Sequence, residues 1–282
     1  MRTSAPLAVT AEALPHFPPR RRGRSVAYMD DAELIARLRA AGCVFAEEEA
    51  AMLRAASADG PSLERMTARR ESGEPLEVVV GYAEFAGLRI PVAPGVFVPR
   101  VRTELVARLA ARLAPPSSIV VDLCCGAGAI AAAVAHTRPD VTVWASDIDP
   151  VAVAVASKTL ERFGAHALVS DMDANLPASL RGRVAVVASC PPYVPTAEVA
   201  LMPPEARDHE PLAALDGGAE GTAMQARVFA AALRLLTPGG VCIVETSDHL
   251  SDATVAAAIA AGLTAHVETN DDIDAVVVVA RR

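Results

Sequence analysis

Four short stretches of this 282-residue chain combine residue types at spacings that suit chemistry. The run Val121-Asp122-Leu123-Cys124-Cys125-Gly126-Ala127-Gly128-Ala129-Ile130 reads as a strand passing into a helix. Gly126 and Gly128 would let backbone approach a ligand closely, and the helix start would offer unpaired N–H donors. The third glycine of a dinucleotide fingerprint is absent, because Ile130 and Ala131 stand where it could lie. Farther on, Ser146-Asp147-Ile148-Asp149-Pro150 closes a second strand. Asp147 there suits capture of ribose hydroxyls, whereas Asp149 before Pro150 reads as a helix N-cap. Ser170-Asp171-Met172-Asp173 closes a third strand and places Asp171 to accept from an adenine amino group. Acids in phase at successive strand ends point to an adenosyl site rather than to turn residues alone. The fourth stretch is Ser189-Cys190-Pro191-Pro192-Tyr193. A Pro-Pro-aromatic sequence makes a rigid loop at a sheet's carboxyl edge, where open α/β sheets bind ligands.

Other reactive side chains are less organised. The six histidines form no HxxxH or HxxE pattern and the five cysteines no CxxC pair, so no metal site is expected. Cys124 and Cys125 read as small buried side chains rather than a redox pair. Cys190 lacks a nearby base that would make it a covalent nucleophile. His209 reads as a satisfied loop histidine, Trp144 as core, and Phe97, Tyr82 and Tyr193 as candidate pocket walls.

These stretches need a scaffold, and the pattern supplies one. Short β-rich runs at 118–125, 142–149, 166–172, 183–190 and 239–246 alternate with Ala-rich helical segments at 127–136, 150–163 and 221–236. Such alternation predicts a mainly parallel sheet covered by helices on both faces. Two further runs, 263–269 and 274–280, are tightly linked and must pair antiparallel. Upstream, residues 1–24 carry four prolines and the basic run Arg20, Arg21, Arg22 and Arg24, the composition of a flexible arm. Residues 25–75 show helical spacing, with Leu34, Ile35 and Leu38 followed by Ala50, Ala51 and Leu53. Residues 76–115 read as a β-hairpin connector over 77–98 followed by a helix that Thr103 caps. Residues 116–282 form the main α/β domain.

Composition narrows the classes. With 52% apolar residues the chain can bury a sizeable core. No apolar run approaches the roughly 18 residues of a membrane span, and no signal peptide is apparent, so a cytoplasmic protein is expected. A net charge of −8 and only 4% aromatics disfavour a duplex-DNA binder.

From about Asp30 onward the chain resembles the HemK-type release-factor N(5)-glutamine methyltransferases. Val98-Pro99-Arg100-Val101-Arg102-Thr103-Glu104-Leu105 is similar to the family's IPRPDTE-L segment, and residues 122–130 to its DLGTGTGAI loop. Arg207-Asp208-His209-Glu210-Pro211 with Leu215 matches R-x-x-E-P-x-x-A-L, and Asp216-Gly217-Gly218 and Pro238-Gly239-Gly240 follow in order. The resemblance implies a Rossmann-like class I methyltransferase: α/β, a seven-stranded, mainly parallel sheet with an antiparallel last strand, plus a small N-terminal helical domain for substrate recognition. It implies S-adenosyl-L-methionine as cofactor, held by Asp122, Cys124, Cys125, Gly126, Ala127, Gly128, Asp147, Ile148, Asp171, Met172 and Cys190. It places the acceptor against Phe97, Pro99, Arg100 and Thr103 and the catalytic loop Cys190, Pro191, Pro192 and Tyr193. The implied acceptor is a protein glutamine, with a release factor as partner.

One departure stands out. The family has NPPY, where the Asn carbonyl and the next backbone carbonyl accept the two protons of the target amide. A thiol is only a weak donor and acceptor and cannot reproduce a carboxamide. Cys190 therefore leaves other readings open: a different amide or amine acceptor such as a small natural product, or a cofactor-binding partner protein without turnover.

Overall fold

The computed structural model describes residues 29–282, so the arm expected at 1–24 lies outside the described residues. The helical region forms α1 (Asp31–Ala40), α2 (Ala46–Ala56) and α3 (Gly60–Glu71). Asp30 and Asp59 cap α1 and α3 by accepting from the N–H groups of Glu33 and Ser62. Leu34, Leu38, Leu53 and Leu63 from the three helices meet in a core of their own. A buried Arg70–Glu49 pair at 2.6 Å ties α3 to α2.

The hairpin starts later than the sequence pattern suggests. Residues 76–80 form a short helix, α4 (Leu76–Val80), which ends at Gly81 with φ 89°. Leu76 and Val79, three apart, pack into the helical core, and tertiary burial there outweighs the β preference of three consecutive valines. The hairpin itself is β1 (Tyr82–Phe85) and β2 (Leu88–Pro91), turning at Ala86 and Gly87, both with positive φ. Thr103 does not cap the next helix, α5 (Glu104–Leu113). It ends a 3-10 turn over Val101–Thr103, and its hydroxyl points elsewhere, as described below.

The main sheet contains β3 (Ile119–Leu123), β4 (Thr142–Asp147), β5 (His166–Val169), β6 (Val184–Ser189), β7 (Leu236–Thr246), β8 (Thr264–Asn270) and β9 (Ala275–Arg281). Their order is β5-β4-β3-β6-β7-β9-β8. β3 to β7 run parallel, and β9 lies antiparallel to both β7 and β8. This is the seven-stranded arrangement expected, with the last strand reversed. Every residue of β6 is buried, as a central strand covered on both faces requires.

The remaining helices are α6 (Ala129–Thr137), α7 (Pro150–Glu161), the short α8 (Pro204–His209), α9 (Ala223–Leu235) and α10 (Ser251–Ala260). Helices α5, α6 and α7 share one apolar layer with Val120, Ala145, Val186 and Ile243. Helices α9 and α10 share the other with Val121, Val187, Cys242 and Val244. The chain progresses outward from β3 through β4 to β5, then returns to start β6 on the other side of β3. Loops diverge at that reversal, and the crevice between them is where open sheets bind ligands.

Candidate active site

At the reversal lies an open cleft. Its floor is the loop after β3. Cys125 N–H donates to the Ser146 carbonyl at 3.0 Å, and Gly126 N–H donates to Asp147 Oδ2 at 2.9 Å. Asp147 Oδ1 accepts from Asp149 N–H at 3.0 Å. One carboxylate thus fastens the glycine loop to the end of β4, while each oxygen keeps a lone pair. Burial pushes the Asp147 carboxyl above its ordinary range, against the pull of these N–H donors. Asp149 caps α7 by accepting from Val151 N–H, as the Asp-Pro pair suggested.

Two backbone details shape the floor. A Cβ at Gly126, where φ is 52°, would meet nothing within 4 Å, so this backbone borders open space. At Gly128, with φ 80°, a Cβ would come within 3.1 Å of the Ala156 side chain, so glycine is what lets α6 start against α7. Cys124 and Met172 hold φ values of 58° and 51° without being glycine, and both line the cleft. Such strain concentrates where the surrounding structure builds a site.

The cleft brings together Cys124, Cys125, Gly126, Ala127, Asp147, Ile148, Asp171 and Met172 with Phe97, Pro99, Thr103, Cys190 and Pro192. Asp171 is half-exposed and paired with Arg227 at 2.5 Å. Five of the expected residues lie behind the lining. Gly128 serves the helix contact just described. Asp122 is buried beneath the loop, where its Oδ2 accepts from Ala131 N–H at 3.1 Å. Arg100 turns away to the buried Glu210, with Nη2 at 2.7 and 2.8 Å from the two carboxylate oxygens. Glu210 also accepts from Val98 N–H at 3.1 Å, so the Arg207–Leu215 stretch clamps the segment before α5. Pro191 is buried and Tyr193 half-buried, and Tyr193 OH donates to Glu245 Oε1 at 3.0 Å.

Three features escaped the sequence reading. Pro211, Ala213, Ala214 and Met224 line the cleft, although only the first three belong to a stretch whose motif drew notice. Gly217 and Gly221 lie so close to the Tyr193 backbone that a Cβ on either would sit at 2.6 Å from it. Val194 N–H donates to Leu215 O and Gly217 N–H to Val194 O, so the Asp216–Gly221 segment braces the Pro-Pro-Tyr loop. Glu245 at the end of β7 is the third.

The sulfur of Cys190 lies 3.9 Å from Thr103 Oγ1. Burial first, and the nearby Glu245 carboxylate second, push this thiol well above its ordinary range. Cys190 is therefore a neutral thiol at physiological pH. Burial likewise raises Asp122 to about 8, against an ordinary value near 3.8. An acid raised by folding contributes stability that is full below its unfolded value and is lost as pH climbs through the folded value. Asp122→Asn should therefore flatten the fall in unfolding temperature between pH 4 and about 8. Thermal unfolding of both proteins across that range checks it, and parallel curves would contradict the assignment.

Residues 88–202 match the family model for the methyltransferase small domain. A release factor glutamine methyltransferase of Mycolicibacterium smegmatis is 40% identical over 198 residues, covering 70% of each chain. One from Geobacter sulfurreducens is 38% identical over 180 residues, covering 64% of this chain and 63% of that protein. A 4-amino-L-phenylalanine/4-methylamino-L-phenylalanine methyltransferase of Streptomyces pristinaespiralis is 37% identical over 188 residues, 64% of each chain. The matched regions thus span about two thirds of these relatives. Among solved structures, a methyltransferase from Pyrococcus furiosus superposes with a TM-score of 0.51 at 18% identity, covering 69% of this chain and 89% of that one. The Rossmann-like architecture agrees with that likeness, and the identity and coverage of the Mycolicibacterium relative show that this chain belongs to the release factor glutamine methyltransferase family.

Proposed function

We propose that the chain is an S-adenosyl-L-methionine-dependent N-methyltransferase whose acceptor is a glutamine side chain of a protein, a peptide-chain release factor. The observation that carries this reading is the continuity of the cleft. It joins the Gly126 loop and Asp147 at one end to Cys190 and Pro192 at the other. A bound methyl donor and an acceptor nitrogen could share that space.

The residues present fit the cofactor. Asp147 offers acceptor positions for ribose hydroxyls. The open backbone at Gly126 admits a close approach, and Ile148, Met172 and Val96 supply apolar walls. When bound, the cofactor supplies an electrophilic methyl group on a sulfonium sulfur. The protein's task is then to aim a nitrogen lone pair along that bond, and positioning supplies most of the acceleration. The backbone carbonyl of Pro191 would accept one N–H of the target. Phe97, Pro99 and Pro192 would exclude water around it. The helical unit, with its separate core, would meet the protein acceptor.

A second reading has its own support. Cys190 cannot grip an amide as Asn does, and the Streptomyces relative is named for transfer to an amino group. An amine of amino-acid size is therefore the alternative acceptor. Incubation with radiolabelled S-adenosylmethionine should transfer label to a release factor carrying its Gly-Gly-Gln loop. Label on 4-amino-L-phenylalanine but not on the factor would favour the second reading, and cofactor binding without any transfer would overturn both. No helix of the described residues is long and apolar enough to cross a membrane.

A further inference from the structure

Glu245 is two residues after Ile243 and four after Val241, so it shares their face of the sheet at the carboxyl end of β7. Its side chain is 1% exposed. Oε1 accepts from Tyr193 OH at 3.0 Å and from Arg102 Nε at 3.3 Å. Oε2 is buried and has no hydrogen-bond partner among the described residues. Buried carboxylate oxygens are nearly always satisfied, because leaving one without a donor forfeits its hydration with nothing in return. An orphaned acceptor beside a candidate site therefore asks what donor it is built for.

The neighbours narrow the answer. Tyr193 and Arg102 are both engaged with the other oxygen. Cys190 lies beside the same two anchors, three residues before Tyr193 and with its sulfur 3.9 Å from the hydroxyl of Thr103, the neighbour of Arg102, and it lines the cleft. A thiol donates weakly. A carboxamide at the same position would present two N–H groups and a carbonyl, so one end could meet Oε2 while the other faced the acceptor.

We propose that Glu245 is the positioning residue of the acceptor site, with Oε1 fixing Tyr193 and Arg102 and Oε2 orienting the side chain at position 190. Through that second oxygen the residue at 190 is held in a defined rotamer or left loose. Cys190 leaves it loose, and the preference between amide and amine acceptors follows from that looseness. The kinetic part of this inference rests on the N-methyltransferase reading, but the structural part does not.

A double-substitution cycle tests it with Cys190→Asn, Glu245→Gln and the two combined. With Glu245 present, Cys190→Asn should raise the unfolding temperature, because the new N–H meets Oε2. Glu245→Gln has one carbonyl, already claimed by Tyr193 and Arg102, and turns an NH2 group toward position 190. The Asn amide then either opposes a second donor or flips to accept from it and turns its own NH2 toward the acceptor, and in both cases the transfer gain from Cys190→Asn should vanish. Transfer to glutamine should follow the same coupling: a rise on the order of 100–1000-fold from Cys190→Asn alone, and under about tenfold in the Glu245→Gln background. The cofactor Kd of Glu245→Gln should stay within about twofold of wild type, which separates positioning from general damage. Glu245→Asp keeps the charge and withdraws the oxygen without offering a donor, and in that background the stability gain from Cys190→Asn should be lost as well. Equal stability increments with Glu245 and with Glu245→Asp, or equal transfer increments with Glu245 and with Glu245→Gln, would overturn the proposal. Stability coupling without transfer to any acceptor would instead overturn the methyltransferase reading and leave the positioning role standing.

Discussion

Asp147→Ala should weaken S-adenosylmethionine binding by about 1.5–3 kcal/mol, roughly 10- to 150-fold in Kd. Two losses combine in this effect. The first is direct, since the ribose hydroxyls lose a charged acceptor at the end of β4. The second acts through the floor of the cleft, because Asp147 Oδ2 holds Gly126 N–H at 2.9 Å and Oδ1 holds Asp149 N–H at 3.0 Å. Without the carboxylate, the loop that must lie flat against the cofactor is free to rotate. Asp147→Asn separates the two contributions, since its single carbonyl can keep only one of the N–H partners. Calorimetric titration should rank wild type above Asn and Asn above Ala. Equal affinity for all three would remove Asp147 from the cofactor site.

The parts of this site that local spacing encodes are the parts the sequence reveals. Gly126 and Gly128 follow a run of buried β-branched residues, and the acids at 147 and 171 recur at strand ends, so the glycine loop and its partners are legible without coordinates. The C-terminal hairpin is legible for a similar reason: two β-rich runs with a short link have only one way to pair. Long-range contacts are different. Tyr193 meets Glu245 across 52 residues and Arg102 meets it across 143, and no periodicity announces either. The same blindness hides the pairing of Arg100 with Glu210, 110 residues away. Local preference also misleads where packing overrides it. Val78, Val79 and Val80 favour a strand by type, yet the core of the helical unit takes up Leu76 and Val79 and makes them helical. Thr103 has the chemistry of a helix cap but directs its hydroxyl to the Cys190 sulfur instead.

Cys190→Asn should raise transfer to a glutamine acceptor by about 2.7–4 kcal/mol of transition-state stabilisation, on the order of 100–1000-fold in rate. The target amide nitrogen is a poor nucleophile because its lone pair is delocalised into the carbonyl. It reacts only when that lone pair is turned toward the methyl group, which requires both N–H groups to be held. In the proposed reading the Pro191 carbonyl would hold one. Cys190, kept neutral by burial, offers a sulfur that accepts weakly and already lies near the Thr103 hydroxyl. Asn at this position would supply the second carbonyl while its NH2 group turns toward Glu245 Oε2, so both of its ends would be satisfied. Ground-state binding should change little, because the added hydrogen bond matters most when the nitrogen is held in its reactive orientation. The gain therefore belongs in the single-turnover rate at saturating cofactor rather than in KM. For an amine acceptor the sign should reverse: its lone pair is already available, and the bulkier Asn would crowd it, so transfer slows. High and equal rates on glutamine for wild type and Cys190→Asn would show that the thiol is a neutral replacement, and the case for an altered acceptor would fall with it.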